Sequence, residues 1–334
     1  MWFKNIRIYR FTQPFTLTPE ELEQNLSQSA FVPCNSQDQI RMGWVSPING
    51  QAENVSFVHA SQGYLMVCAK RQEKVLPAAV INEFLAEKVE AIQEAEGRAI
   101  GRKERQSLKD DVIMELLPKA FTRSRLQYAY IAPKEGYIVI DAASANAAET
   151  LLSNLRETIG SLPIVPLASN HIPVQVMTRW VMESTAVEKF VLGDECELAD
   201  PKESGSVIRC KQQDLSSADI NNLLQSGMIV TKLALDWMEG VNFIIDDQLA
   251  IKRLRFEDNI RDKADSHDAQ NQAEQFDVDF SVMTIELTAL IKDLLPALGG
   301  LNRESVSVEE IVAKATRDDK APSGVDAVDK TTVA

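Results

Sequence analysis

The sequence predicts an α+β fold in which antiparallel sheets are flanked by helices and a helical arm projects from the body. Strand-like segments follow one another in hairpin pairs, whereas a parallel sheet would alternate single strands with helices. Two long helical patterns are joined by a short, polar and basic turn. Apolar residues make up 45% of the 334-residue chain and charged residues 25%, which is typical of a globular protein with a substantial core.

The first part of the chain, residues 1–76, is predicted to be an α+β region. Residues 3–11 alternate as a strand does. Thr18-Pro19-Glu20-Glu21 has the pattern of a capping box with proline in the first helical position, which predicts a helix start. Residues 54–60 and 64–71 then form the two arms of a predicted hairpin.

Residues 77–125 are predicted to form the arm. An apolar stripe with helical spacing begins after Pro77, and Gly97 and Gly101 interrupt it where the bases begin. Ser107 is an N-cap signal for a second helix, which Pro118 ends. We therefore expect two helices that are joined by a basic turn.

Residues 126–167 are expected to complete the N-terminal domain. A second hairpin is predicted from segments 125–131 and 137–142, and a helix from 144–159. The apolar, proline-rich segment 161–167 is a candidate domain boundary.

A C-terminal α+β domain is expected over residues 168–303. Residues 304–334 are predicted to be disordered because residues 316–334 have little apolar mass. The predicted elements of the domain are strands at 172–177, 189–192 and 206–212, a helix at 217–226, three antiparallel strands at 228–237, 241–245 and 249–256, a polar helix or loop at 258–275, and an amphipathic helix at 277–295.

The distribution of charge is uneven. The chain carries a net charge of −14, yet residues 98–134 contain nine bases and four acids. An acidic protein that binds a polyanion has to gather its positive charge in one place. Within this segment Phe121 lies between Lys119 and Arg123, where it could stack on a base or wedge into a duplex end. The alternative is a solvated helix surface with Phe121 packed into the core, and the residues alone leave both interpretations open.

Two smaller basic clusters lie in predicted strands. One is Arg209-Cys210-Lys211-Gln212-Gln213, and the other is Lys252-Arg253-Leu254-Arg255. In a regular strand Lys252 and Leu254 would face one way, and Arg253 and Arg255 the other. Solvated edge positions are the simpler explanation of each cluster taken alone.

Enzymatic chemistry has little support in the sequence. Asp246-Asp247 and Asp277-Val278-Asp279 could form a two-metal nuclease site, but a hairpin turn and a helix cap explain them more simply. The sequence has no phosphate-binding loop, nucleophile elbow or dinucleotide motif. We therefore expect no enzymatic activity, no cofactor and no metal.

Cysteine spacing and hydropathy indicate a cytoplasmic protein. The four cysteines form no CxxC pair and are expected to be reduced thiols, and the three histidines are too scattered for zinc. No apolar run approaches the roughly 18 residues that span a bilayer. The N-terminal residues lack the pattern of a signal peptide, so no membrane association is expected.

Several motifs, found in this order from Met1 to about Gly300, resemble the RdgC family of bacterial recombination-associated proteins. They are Met1-Trp2-Phe3-Lys4-Asn5, Phe31-Val32-Pro33-Cys34, Met42-Gly43-Trp44-Val45, Ser107-Leu108-Lys109-Asp110, Leu116-Leu117-Pro118-Lys119-Ala120-Phe121, Gly160-Ser161-Leu162-Pro163, Ile208-Arg209-Cys210-Lys211-Gln212 and Thr231-Lys232-Leu233-Ala234-Leu235-Asp236-Trp237.

The resemblance implies a non-enzymatic, nucleoid-associated protein that binds double-stranded DNA, and also single-stranded DNA, with little sequence preference. It implies a ring-shaped homodimer whose positive channel encircles the duplex and which limits the access of the RecA recombinase to DNA. The alternative is a protein-interaction regulator that contacts the recombinase directly. The acidic C-terminal quarter and the amphipathic helix at 277–295 motivate that alternative.

The resemblance also implies where DNA is contacted. It places Phe121 near the tip of the arm with Lys119 beside it, and it places Lys211 and Gln212 where the ring closes. Lysine at position 119 offers a point charge rather than a bidentate fork. Together with neighbouring bases, the predicted DNA-binding residues are Lys74, Arg98, Arg102, Lys103, Lys119, Phe121, Arg123, Lys211 and Gln212.

Overall fold

A computed structural model of the chain describes residues 1–303, except 54, 188, 203–204, 266–268 and 270. The predicted disordered tail, 304–334, lies outside the described residues. Within them the fold is α+β, and every pairing between its strands is antiparallel, as predicted. None of the described helices combines the length and hydropathy that crossing a membrane requires.

The strands belong to a single twelve-stranded sheet, with the order β2-β4-β5-β6-β1-β12-β11-β10-β8-β9 and with β3 beside β4 and β7 beside β1. The strands are β1 (Ile6–Phe11), β2 (Ile40–Val45), β3 (Val58–Ser61), β4 (Tyr64–Lys74), β5 (Thr122–Ala132), β6 (Tyr137–Asp141), β7 (Ile164–Pro166), β8 (Phe190–Ala199), β9 (Val207–Cys210), β10 (Ile229–Trp237), β11 (Val241–Asp246) and β12 (Ile251–Phe256).

Eight α-helices accompany the sheet in the described part of the chain. They are α1 (Pro19–Gln28), α2 (Ala78–Glu96), α3 (Arg102–Leu116), α4 (Ala145–Ile159), α5 (Pro173–Met182), α6 (Ala218–Gln225), α7 (Asp258–Asp265) and α8 (Gln272–Ala297). A short 3-10 helix, Leu117–Lys119, follows α3.

The first strand of the chain lies in the middle of the sheet and joins its two halves. β1 pairs with β6 on one side and meets β12 on the other, where Ile6 lies opposite Ile251. The Leu254 N–H also donates to the Lys4 carbonyl at 2.8 Å. Segment 161–167 contains β7, which pairs with β1, so the sheet is continuous across it. The predicted domain boundaries stay predictions.

Two apolar layers cover the sheet, one on each face. Side chains of β1 point alternately to the two faces. Ile6 and Ile8 pack in the layer formed with α5, α6 and α8, whereas Tyr9 and Phe11 pack in the layer formed with α1 and α4. The second layer is confined to the N-terminal half of the sheet. The strands of the C-terminal half therefore have one face that no apolar layer of the described residues covers, and we call it the open face.

Several local predictions are confirmed. Thr18 Oγ1 accepts from the Glu21 N–H at 3.2 Å, and the Glu21 carboxylate accepts from the Thr18 N–H at 2.9 Å, which completes the capping box. The helix predicted at 144–159 is α4, and the Ser144 hydroxyl caps it by accepting from the Ala147 N–H. The predicted apolar stripe of α8 is buried against the sheet.

Three local predictions are wrong. The segment predicted as a strand at 172–177 is the N-cap and first turns of helix α5, because Pro173 starts the helix and its buried residues continue at helical spacing to Trp180 and Val181. α3 begins after Gly101 and not at Ser107, since the intervening residues are good helix formers. Asn271, not Asp277, caps α8.

Candidate nucleic-acid interface

Helices α2 and α3 form a hairpin with an apolar cluster of its own. Ile81 of α2 packs against Val112 and Leu116 of α3, and this cluster is separate from the two layers that cover the sheet. The turn 97–101 joins the helices, and Gly97 adopts the left-handed conformation there (φ +62°) that glycine accepts readily. We call this helix pair the arm.

The arm connects to the body through a long two-stranded ribbon. β4 and β5 pair without interruption from Leu65 opposite Ile131 to Lys74 opposite Thr122. Their first pairs are buried in the core, whereas residues 70–74 and 122–126 are partly or fully exposed. We call these last ten residues the basic ribbon, because they include five bases and a single acid.

The register of the basic ribbon concentrates positive charge on one face. Residues that lie directly opposite in an antiparallel pair share a face, so Arg71 and Arg125 lie side by side, with Arg123 next to them. Glu73 is the acid of this ribbon, and its carboxylate lies 3.4 Å from the Arg71 guanidinium. Arg71 Nε is buried and has no hydrogen-bond partner among the described atoms. Two arginines directly opposite each other repel, and a bound anion would relieve that cost.

Phe121 stands at the junction of the arm and the ribbon. Its carbonyl accepts from the Val75 N–H at 2.8 Å, which fixes the backbone, while 87% of the residue is exposed to solvent. The interpretation that packs Phe121 into the core is therefore wrong. Lys119 lies exposed beside it, and Lys74 Nζ is 3.5 Å from the Ala120 carbonyl.

The structure thus brings Lys74, Lys119, Phe121 and Arg123 together but separates them from the other bases of the arm. Arg98 lies in the turn at the far end of α3, and a helix rise of about 1.5 Å per residue separates the two ends by roughly 20 Å. The prediction that Phe121 lies near the arm's tip is corrected accordingly, because Phe121 follows the end of α3 that adjoins the ribbon.

Arg98 is held by two carboxylates at the turn. Glu104 accepts from both terminal nitrogens of its guanidinium at 2.6 and 2.7 Å, and Glu96 accepts from Nε at 2.6 Å. These hydrogen bonds raise the pKa of Arg98, Glu104 contributing most, and the same contact lowers the pKa of Glu104. The neighbouring Arg102 and Lys103 are exposed at the start of α3.

The open face of the C-terminal half carries a second set of bases. A register shift between β11 and β12, with Arg253 at φ +50°, marks a bulge in β12. The expected alternation, with Lys252 and Leu254 on one face, is therefore wrong. Lys252 and Arg253 line the same cleft of about 390 Å³, while Leu254 is buried.

Acids neutralise much of this second set. Glu197 accepts from Lys232 Nζ at 2.7 Å and from Arg209 Nε at 2.8 Å, and Glu195 pairs with Arg253 at 2.8 Å. Burial raises the pKa of Glu197, but the hydrogen bonds from Lys232 and Arg209 together outweigh it and lower the pKa to about 2.

Lys211 and Gln212 lie just beyond the edge strand β9. Both are exposed, and Gln212 has a positive φ of 51°. Most of the sheet separates β9 from the β4–β5 ribbon, so a single chain does not bring these two predicted residues to Phe121.

Three of the four acids that suggested a metal site have side-chain partners in the fold. Asp246 accepts from the Ala250 N–H at 2.8 Å and pairs with Lys252 at 2.7 Å, which confirms the predicted turn. Asp277 bonds to His59 at 2.9 Å, and the Met1 ammonium group donates to Asp279. The described residues contain no group of three or more His, Cys, Asp or Glu side chains that could hold a metal ion.

Lys70, Arg71 and Arg125 also belong to the basic ribbon, although they are not among the DNA-binding residues predicted from the sequence. Arg71 and Arg125 are far apart in the chain, and only the strand register shows that they are adjacent. The sequence predicted β4 and β5 as members of two different hairpins, and it did not predict that they pair with each other.

These features define a class: an acidic α+β protein with one continuous antiparallel sheet and segregated basic surfaces. A family model described as "Putative exonuclease, RdgC" matches residues 1–301. The chain belongs to the RdgC family, as the motifs predicted.

Curated relatives agree with this assignment. The chain is 45% identical over 300 residues to the Recombination-associated protein RdgC of Aeromonas hydrophila, a match that covers 90% of this chain and 98% of that protein. It is 44% identical over 304 residues to the protein of the same name from Tolumonas auensis, covering 91% and 100%. For the Yersinia pestis protein the identity is 42% over 300 residues, covering 90% and 98%. The family description thus names an exonuclease, whereas these relatives are named for recombination.

Proposed function

We propose that this protein binds double-stranded DNA without sequence preference and limits RecA-dependent recombination. The observation that carries the proposal is the pairing of Arg71 with Arg125 on the exposed basic ribbon of an acidic protein. Arginine and lysine that neutralise phosphates release condensed counterions, and this gain is independent of base sequence. The acidic remainder of the chain repels stray polyanions and directs DNA to the basic surfaces.

Phe121 supplies the second element of the proposed interface. An aromatic ring that is fixed by its backbone and exposed to solvent offers a stacking platform for any base. Its position beside Lys119 and Arg123 couples stacking to phosphate contact. This arrangement suits duplex ends and single-stranded DNA as well as the duplex.

A homodimeric ring accounts for the separation of the basic surfaces. Two copies could enclose one duplex between both ribbons and both open faces, with Lys211 and Gln212 near the point of closure. Exposed apolar side chains occur on the arm, at Phe84 of α2, and at the β8–β9 edge, at Val191 and Val207. These are two separate places where a second copy could pack. A closed ring on DNA would physically limit the loading of RecA and localise the protein to the nucleoid.

Salt dependence tests the DNA interface directly. Anisotropy of a labelled duplex is measured over a salt series, with unlabelled duplexes of unrelated sequence as competitors. We expect log affinity to fall linearly with log salt and all competitors to be equivalent. Lys119→Glu with Arg123→Glu should weaken binding to every sequence. A control with the same charge change, Arg261→Glu with Lys292→Glu on α7 and α8, should bind nearly as the parent does. Equal affinity of both double variants would contradict this interface.

Closed and linear DNA distinguish a ring from an open clamp. The protein is bound to a covalently closed plasmid and to the same plasmid after linearisation, and salt is then raised. We expect retention on the closed circle and loss from the linear form. Equal release from both would refute encirclement, and light scattering that gives a monomer mass at working concentration would refute the dimer.

The effect on recombination is tested by RecA-driven strand exchange. The reaction should slow as the parent protein is added, and the Lys119 and Arg123 double variant should lose this effect in proportion to its weaker DNA binding. Full inhibition by a variant that no longer binds DNA would favour the alternative, a regulator that contacts the recombinase itself.

The structure removes one motive for that alternative. The apolar face of α8 is buried against the sheet and is not free to receive a partner helix. Co-purification of the recombinase after nuclease treatment remains the direct test, and association that persists without DNA would support a direct contact.

The exonuclease named in the family description is a further competitor. We propose that the chain is not an enzyme, because Asp246, Asp277 and Asp279 already serve a turn, a histidine contact and an ammonium contact. End-labelled DNA incubated with the protein and Mg²⁺ or Mn²⁺ should stay intact. Release of labelled nucleotides that follows the protein through purification would overturn this part of the proposal.

A further inference from the structure

Two cysteines face each other across the outermost strand pair of the sheet. Cys196 of β8 lies directly opposite Cys210 of β9, so both side chains project from the same face. The Cys210 side chain is near enough to contribute to the raised pKa of Cys196. All four cysteines of the chain are free thiols in the structure.

The strand register already meets the backbone requirement of a disulfide. Opposite residues in an antiparallel pair have Cα atoms about 4.5–5.5 Å apart, and disulfides form across Cα separations of about 4.4–6.8 Å. Closure therefore needs side-chain rotation and little backbone movement. The other two cysteines have different neighbours: the Cys34 thiol contacts the Gln72 carbonyl, and Cys68 contacts Tyr128.

The two thiols differ in their access to solvent. Cys210 is half-buried, whereas Cys196 is only 5% exposed. Burial and the neighbouring Cys210 raise the pKa of Cys196 to about 12, so Cys196 stays protonated at neutral pH. An oxidant in solution therefore reacts first with Cys210, and Cys196 is the thiol that can then form a disulfide with the oxidised Cys210.

We propose that Cys196 and Cys210 form a reversible dithiol–disulfide modification site, which hydrogen peroxide closes and a dithiol reductant opens. In the first step the Cys210 thiolate attacks a peroxide oxygen: an S–O bond forms, the O–O bond breaks, and the leaving hydroxide takes up a proton as water. Cys196 sulfur then attacks the sulfenic sulfur of Cys210. An S–S bond forms, the S–O bond breaks, and the hydroxyl group leaves with the Cys196 proton as water. Two thiols are oxidised and one peroxide is reduced to two waters.

The consequence follows from the position of the pair. β9 pairs with β8 through four residue pairs, and the cysteine pair is the last before the chain turns away at Lys211. The Gln213 N–H then donates to the Asp194 carbonyl at 3.0 Å, which is the next attachment to β8. A disulfide would fasten the edge strand at the point where Lys211 and Gln212 leave it, and would restrict their motion.

Peptide mapping tests the site on the full-length native protein. The protein is treated with hydrogen peroxide, the remaining thiols are alkylated, and the digest is analysed by mass spectrometry. We expect a linked pair of peptides that contain Cys196 and Cys210, a loss of two hydrogen atoms from the intact mass, and full recovery with dithiothreitol. Cys34 is the matched control: it is also half-buried but contacts a carbonyl, and it should remain alkylatable.

Single serine variants keep the test decisive. Cys196→Ser should abolish the linked peptides and leave Cys210 as a sulfenic acid that a dimedone probe captures, and Cys210→Ser should leave Cys196 reduced. In the oxidised parent, amide hydrogen exchange in 207–213 should be slower than in the reduced protein. Sulfinic acid on Cys210 without any linked peptide, or unlinked thiols when Cys34 is already oxidised, would overturn the proposal. None of these measurements involves DNA, so the outcome is independent of the proposed function.

Discussion

Arg71 and Arg125 lie directly opposite each other on β4 and β5, with both side chains on one face of the basic ribbon. Like charges in this relationship destabilise a strand pair, so the register carries a cost that a bound phosphate would relieve. We predict that Arg125→Gln weakens DNA binding and lowers the salt slope by about one, while the free energy of unfolding stays unchanged or rises slightly. Anisotropy at several salt concentrations and urea denaturation measure the two effects.

The control for Arg125→Gln is Lys292→Gln, which removes one exposed positive charge from α8. It should leave both the affinity and the salt slope close to those of the parent. A loss of stability in Arg125→Gln together with unchanged affinity would mean that Arg125 supports the fold and does not contact DNA.

Phe121 provides a test in which binding and stability separate. Since 87% of the residue is exposed, Phe121→Ala should change the free energy of unfolding by less than about 0.5 kcal/mol. Loss of a stacked base costs about 1–3 kcal/mol, so affinity for single strands and duplex ends should fall about 5- to 150-fold. Anisotropy on a single strand and on a blunt duplex is the measurement.

Met114→Ala is the matched control, because Met114 is an apolar residue of the arm that is also well exposed, at 64%. It should keep the parent affinity for DNA. If Phe121→Ala binds as tightly as Met114→Ala, the exposed ring has another purpose, such as contact with a second copy of the chain.

The sequence was informative where local chemistry decides structure. The Thr18 capping box, helix α4 and the buried stripe of α8 all follow from residues within one or two turns. Helix α5 was missed because Ile172, Val174 and Val176 alternate as a strand would, and the predicted segment was too short to include the helical spacing that continues to Trp180.

The site was harder to predict than the fold, for a physical reason. The basic ribbon depends on the register between two strands that are separated by the whole arm, and the bulge at Arg253 depends on the pairing of β12 with β11. The exposure of Phe121 depends on how its backbone is fixed by Val75. None of these is a local property of the residues, so the basic segment pointed to Phe121 but left open whether its ring is exposed or packed into the core.

Arg98 should be less available to DNA than its position in the turn suggests. Glu104 and Glu96 together occupy its guanidinium, and any phosphate must compete with them. We predict that Glu104→Gln strengthens DNA binding several-fold. The substitution weakens the two charge-assisted hydrogen bonds that hold the Arg98 guanidinium to residue 104, and it removes one negative charge from the arm. Anisotropy at low salt measures the gain.

A second acid of the arm distinguishes the release of Arg98 from the simple loss of a negative charge. Glu90→Gln removes the same charge from α2 at an exposed position. If Glu90→Gln and Glu104→Gln raise the affinity for DNA equally, the cause is the loss of a negative charge and Arg98 is not involved. Adding Arg98→Gln to Glu104→Gln should cancel the specific part of the gain.

Glu197 predicts a pH dependence of stability. Its pKa in the folded protein is about 2, against an ordinary value of 4.5, because the hydrogen bonds from Lys232 and Arg209 outweigh burial. A carboxyl group with a lowered folded pKa contributes stability above its unfolded pKa, and this contribution is lost as the pH falls through the folded value. Glu197→Gln should therefore cost about 1–2 kcal/mol at pH 7, a range that allows for partial solvent screening. The difference from the parent should shrink between pH 4.5 and pH 2.

Denaturant titrations of both proteins at pH 7, 5 and 3 measure this difference, with Glu157→Gln as the control. Glu157 is an exposed carboxylate of α4, and its loss should leave stability nearly unchanged at every pH. A gap between Glu197→Gln and the parent that stays constant down to pH 3 would show that packing, not the ion pairs, is lost.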